Sequence, residues 1–178
     1  MSSDSGYDSE DSQDFQFVDP DLREFDLQQV RLNGMYLENA EETSISDPEI
    51  VKAAVAQNGN ALNWAAHSMQ YNKDVVMIAV AQNGNALRYA SNGKFGVKNM
   101  QDDKEVVMTA VNQNGYALQY ASIRLKKDAE VVMAAVKRQG CALRYASNEL
   151  RNENDIYKKI AIAAVAQNSL ALEYAPDE

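Results

Sequence analysis

One phrase is written several times along this chain, and that repetition limits the fold more than any other feature. Residues 47 to 65 read Asp-Pro-Glu-Ile-Val-Lys-Ala-Ala-Val-Ala-Gln-Asn-Gly-Asn-Ala-Leu-Asn-Trp-Ala, and the pattern returns from Asn72, Asp103, Asp128 and, less faithfully, Tyr157. Gly59, Gly84, Gly115, Gly140 and Ser169 set the register, at spacings of 25, 31, 25 and 29 residues. The unit is therefore 25 residues long, with six residues inserted after the second copy and four after the fourth. A worn copy precedes them: Gly34 lies 25 residues before Gly59, and Phe25, Val30, Leu37 and Ala40 stand where Ile50, Val55, Leu62 and Ala65 stand. A 25-residue unit is too small to bury its own apolar stripe, so neighbouring copies must stack and share one continuous core.

The first half of each unit carries apolar residues at i, i+1, i+4 and i+5, as in Val75, Val76, Ala79 and Val80, which is helical spacing. Asp47, Asn72, Asp103 or Asp128 marks the start, since a short polar side chain can accept from the free backbone donors of the first turn. Pro48 suits the first helical position, and Glu49, Glu105 and Glu130 favour the positive end of the helix. The Gly that follows predicts a helix stop through a positive φ. A second, shorter helix is expected over Ala-Leu-x-aromatic-Ala, as in Ala86 to Ala90. The expected fold is all-α: an α-solenoid of five to six 25-residue helix-turn-helix repeats, with the valines, the alanines and the aromatics Trp64, Tyr89, Tyr120, Tyr145 and Tyr174 buried. A DNA-binding helix-turn-helix is disfavoured, because the second helices are not strongly basic.

Charge divides the chain. Residues 1 to 46 hold 12 Asp/Glu and 2 Lys/Arg, whereas residues 47 to 178 hold 14 acids and 15 bases. The Ser/Asp/Glu-rich stretch 1–20 is expected to be a disordered acidic tail, followed by the degenerate repeat at 21–46 and the repeat domain at 47–178. No apolar run approaches the roughly 20 residues of a membrane helix, and the N-terminus has no secretory-signal pattern. One cysteine, Cys141, and one histidine, His67, exclude an internal disulfide and the common four-ligand Cys/His zinc sites. No convergent set of nucleophile, base and charge stabiliser can be assembled, so no catalytic residue, cofactor or metal is expected. Cys141 reads as a helix-start residue and His67 as a surface residue.

The phrase D-x-E-V-V-x-x-A-V-x-x-x-G-x-A-L-x-Y-A-S, as in Asp103 to Ser122 and Asp128 to Ser147, resembles a family of tandem repeats catalogued only as a domain of unknown function. Such repeats occur in intracellular bacteria that deliver effectors into host cells, in protists and in giant viruses. The resemblance implies a helical repeat and a eukaryotic or host-cell setting: a cytoplasmic protein, or one secreted into a host cytosol. It brings no catalytic residues. Ser169 and Tyr157 depart from the pattern and leave the geometry of the last copy open.

Function is then sought where the copies differ. Asn63, Arg88, Gln119, Arg144 and Glu173 form one variable row, and Lys52, Met77, Thr109, Ala134 and Ile162 are read as another. Residues 88 to 159 carry 13 Lys/Arg against 8 Asp/Glu, a mild basicity compatible with RNA, an acidic protein or the acidic tail, but too weak to lead to nucleic acid. Phe95, in the first insertion, can face a partner or tuck back over the stack. An exposed, self-associating apolar end is expected near Ile160, Ile162 and Leu172. In the tail, Asp14 to Val18, with Phe15 and Val18 three apart, resembles an autophagy-receptor-binding motif; the alternative is that Phe15, Phe17 and Val18 cover the first unit. Asp4, Ser5, Gly6, Tyr7 and Ser9 match the D-S-G-Φ-x-S phosphodegron resembling targets of a β-propeller F-box ubiquitin-ligase receptor, where phosphates on Ser5 and Ser9 would meet arginines. The sequence points to a non-enzymatic protein-interaction module, with an RNA-binding α-solenoid as the alternative.

Overall fold

The computed structural model describes residues 20–93, 99–152 and 154–175, and shows the all-α repeat. Six long helices carry the stack: α1 (Pro20–Leu32), α3 (Pro48–Gln57), α5 (Lys73–Gln82), α6 (Lys104–Gln113), α8 (Ala129–Arg138) and α10 (Asn154–Gln167). Each packs on the next in that order, α1 on α3 through to α8 on α10. The valine and alanine stripes meet between them, and Val75, Val76, Ala79 and Val80 are fully buried.

The second, shorter helix of each unit is present and is of the 3-10 type: Gly34–Asn39, Gly59–Asn63, Gly84–Tyr89, Gly115–Tyr120, Gly140–Tyr145 and Ser169–Tyr174. Its Ala and Leu complete the core. In every unit the residue before this helix is extended, and in all but one it is an Asn whose side chain accepts from an N–H two residues on, as Asn83 does from Asn85; Gln139 is extended without that bond. A third, short element closes most units: α2 (Glu42–Ser46), α4 (His67–Gln70), the 3-10 turn Met100–Asp102, α7 (Ile123–Lys127) and α9 (Asn148–Arg151). These were not read from the sequence, yet Met69, Met100, Leu125 and Leu150 each bury one apolar side chain from them. Backbone bonds tie these elements to each other, with Ser91 donating to the Gln70 carbonyl, Ser122 to Gln101 and Ser147 to Lys126.

The repeated glycine has a different job from the one expected. Gly93, in the insertion, is the glycine with positive φ among the described residues; the register glycines are not left-handed. Each long helix ends instead on an extended residue, as at Asn83 with φ −145° and ψ 109°. The glycine is needed because the next unit comes so close: a Cβ on Gly84 would sit nearer than 3.0 Å to the Ala110 carbonyl oxygen, and Gly34, Gly59, Gly115 and Gly140 meet Ala54, Ala79, Ala135 and Ala164 in the same way. A glutamine completes the contact. Gln113 accepts from the Gly84 N–H at 2.7 Å and donates to the Gln82 carbonyl at 3.4 Å, so one side chain fastens two backbone groups of the preceding unit. Where Arg138 takes the glutamine position, its Nε still donates to the Gln113 carbonyl, and Gln139 accepts instead from the Tyr116 N–H.

The helix starts also form a chain of contacts. Asp47, Asn72, Asp103 and Asp128 each accept from two backbone N–H groups of the first turn, as the sequence leads one to expect. Three of them also face a base of the preceding unit: Arg23 with Asp47 and Glu49, Lys73 with Asp103 and Glu105, Lys104 with Asp128 and Glu130. Burial pushes the Asp103 carboxyl up, but Lys73 and the N–H groups of Val106 and Glu105 outweigh it and hold the carboxyl below its ordinary 3.8. Asp47 and Asp128 are depressed by the same balance. A depressed carboxyl contributes stability that is present above its unfolded value and lost as pH falls through the folded one. Denaturant unfolding should therefore show stability falling below pH 3.8, and a variant with Asn at these three positions, which keeps the cap acceptor but not the charge, should show a flatter acid limb.

The last unit departs in two places, and each has a reason. The four-residue insertion lengthens α10 to 14 residues, so that Tyr157 lies inside the helix and not at its cap. Tyr157 is buried, which pushes its phenol pKa up, and its hydroxyl donates to the Tyr174 carbonyl at 2.6 Å, tying the final 3-10 helix to α10. Ser169 takes the register-glycine position and is exposed, because no described unit packs against it.

Candidate functional site

The row of 3-10 helices brings together the residues that vary between copies. Successive 3-10 helices pack on one another, and the aromatic takes the same position in each unit, the last residue of the helix or, at Trp64, its C-cap, so the rings fall in one row. Trp64, Tyr89, Tyr120, Tyr145 and Tyr174 are half-buried, which corrects the expectation of full burial. Each ring packs against the core and stays partly exposed. In two units the exposed residue before the aromatic is an arginine that reaches over it. The Arg88 guanidinium stands 5.0 Å from the Tyr89 ring centre and 6.0 Å from that of Tyr120 in the next unit. Arg144 lies 4.7 Å over Tyr145 and donates to its hydroxyl at 2.7 Å. Tyr116 meets Tyr145 edge to face at 6.4 Å.

Neither Arg88 nor Arg144 has a carboxylate partner among the described residues, in contrast to Arg23, Lys73 and Lys104. The rings hold these guanidinium groups in place by cation–π contact, Arg144 also through hydrogen bonds to the Tyr145 and Tyr174 hydroxyls, and neither contact uses all five N–H donors of a guanidinium. Beside Arg88 lies a groove of 330 Å³, lined by Asn63, His67, Gln70, Arg88, Tyr89, Ala90, Ser91 and Asn92. His67 is exposed at its rim, edge-on to Tyr71.

The second variable row needs correcting in register. The glycine spacing and the helix bounds align Lys52 with Met77, Met108, Met133 and Ile162, not with Thr109 and Ala134. Three methionines thus stand in consecutive units, half-buried, and Met108 and Met133 line a 480 Å³ groove between α6 and α8 with Lys137, Arg138 and Glu130 at its edges. Counting from the glycine would have found them; the signal was in the sequence.

Cys141 is a free, half-buried thiol, and no group of His, Cys, Asp or Glu suited to a metal is present among the described residues. Of the expected apolar end, Ile162 and Leu172 are exposed, but Ile160 is buried because it faces back into α8 and the core. The tail residues Asp4, Ser5, Gly6, Tyr7, Ser9, Phe15 and Val18, and Phe95 in the insertion, lie outside the described residues.

No helix among the described residues is long and apolar enough to cross a membrane. No curated protein and no solved structure matches the chain. A family described as Domain of unknown function (DUF4116) matches residues 47–93 and 103–151, which together are more than half of the chain and coincide with two successive pairs of the units above, and the protein belongs to that family.

Proposed function

We propose that this protein is a non-enzymatic interaction module that takes an acidic protein segment along its 3-10 face. The observation that carries this reading is the pair of guanidinium groups, Arg88 and Arg144, positioned on half-exposed tyrosines with no carboxylate of their own among the described residues. Arg and Tyr are the residues that dominate binding energy at protein interfaces, and a guanidinium already held by a ring loses little freedom when it pairs with a carboxylate. The effector role, the host setting, and the degron-like and autophagy-like motifs of the tail belong to the same reading, as sites through which host partners would be engaged.

The same half-exposed rings favour a second reading, single-stranded RNA stacked along the row. The two separate by salt. An acidic peptide and a single-stranded RNA of equal length are titrated against the protein over a range of ionic strength. Arg88→Ala and Arg144→Ala should each weaken the peptide by roughly tenfold, the loss of one charge-assisted hydrogen bond. RNA binding tighter than the peptide, with a steep loss as salt rises, would favour the second reading. Binding of the peptide that ignores both arginines would overturn the first.

A further inference from the structure

We propose that the C-terminal end of the stack pairs with the same end of a second copy about a two-fold axis, and that the residues at the two ends close off head-to-tail growth. Leu172 occupies the column of Leu62, Leu87, Leu118 and Leu143, all fully buried, yet it is 67% exposed, because no unit among the described residues packs against it. Ile162 and Leu170 beside it are 70% and 71% exposed. An unfinished core of this kind favours a partner.

Head-to-tail docking would repeat the internal junction, and both ends lack what that junction needs. Ser169 carries a Cβ where every forward-packed unit has glycine, and that atom would meet the Gln29 carbonyl oxygen of an incoming copy as a Cβ on Gly34 would meet Ala54. Leu32 stands in the column of Gln57, Gln82 and Gln113 and can form neither of the two side-chain bonds to the preceding unit. Leu22 replaces the capping aspartate, although Glu24 keeps the second acid.

Charge matches the end to itself. Lys158 continues the column of Arg23, Lys73 and Lys104, each of which reaches forward to acids of the next unit. Glu173 continues the column of Arg88, which reaches forward over the next unit's tyrosine. One end face therefore presents a base from its long helix and an acid from its 3-10 helix, and neither has a partner among the described residues. A two-fold contact sets residue i of one copy against residue j of the other and j against i, so Lys158 of each copy can meet Glu173 of its mate.

Sedimentation velocity on the full chain over a wide concentration range is the test. A monomer–dimer equilibrium that stops at the dimer is expected. Leu172→Glu should weaken it at least tenfold with unchanged helical circular dichroism, since the site is exposed. Lys158→Glu and Glu173→Lys should each weaken it, and the double variant carrying both should restore it, because the swap re-creates the pair across the axis. Should Leu172→Glu fail to fold, the charge swap still decides. A monomer at every concentration, open-ended growth, a dimer indifferent to Leu172→Glu, or no restoration in the swapped variant would each overturn the proposal.

Discussion

Gly84→Ala is expected to destabilise the protein by about 2–4 kcal/mol, far beyond the cost of an alanine at an unstrained site. The added methyl must push away the Ala110 carbonyl, which is part of the backbone of α6 and cannot rotate aside. Moving it also disturbs the Gly84 N–H bond to Gln113. Gly84→Asn discriminates between mechanisms. Asparagine tolerates a left-handed conformation, so a glycine needed only for positive φ would accept it at modest cost. Here it should be no better than alanine. The matching control is Ser169→Gly, in the same column but with no unit against it, which should shift stability by no more than about 1 kcal/mol. Urea unfolding of the three variants settles the comparison; Gly84→Asn within error of the parent would return the glycine to the role of a helix stop.

At protein concentrations low enough for the chain to be monomeric, Leu118→Ala should cost about 2–5 kcal/mol, whereas Leu172→Ala, the same substitution in the same column, should cost less than about 1 kcal/mol. Leu118 is fully buried in the middle of the stack, so truncation leaves a cavity between units on both sides. Leu172 is mostly exposed and leaves none. Because each unit touches little beyond its neighbours, a lesion at Leu118 should also divide the cooperative unit. We expect its thermal unfolding to broaden or split while that of Leu172→Ala keeps the parent shape. Equal costs at the two sites would contradict the position of Leu172 at an open end.

Much of the unit was legible from letters alone. The i, i+1, i+4, i+5 stripe, the capping Asp or Asn and the 25-residue period are properties of one helix and its first turn, set by contacts within a few residues. The stacking order followed, since a unit of that size has nowhere else to bury its valines. What one unit does to the next was not legible in the same way. A glycine after a helix has two physical meanings, a left-handed backbone or a missing Cβ, and a single sequence writes both with the same letter. Ser169 is the residue that separates them, but only once the structure shows that nothing packs against it. The aromatics look like core between Leu and Ala; their half-exposure depends on the 3-10 geometry, which turns them to the edge of the stack and places Arg88 between rings of adjacent units. Sequence periodicity determined the helices and their order, because those rest on local backbone bonding and apolar spacing. The tertiary structure alone decided which side chains meet across a junction and which columns end unpartnered, because these depend on separations of a few ångströms between segments some 25 residues apart.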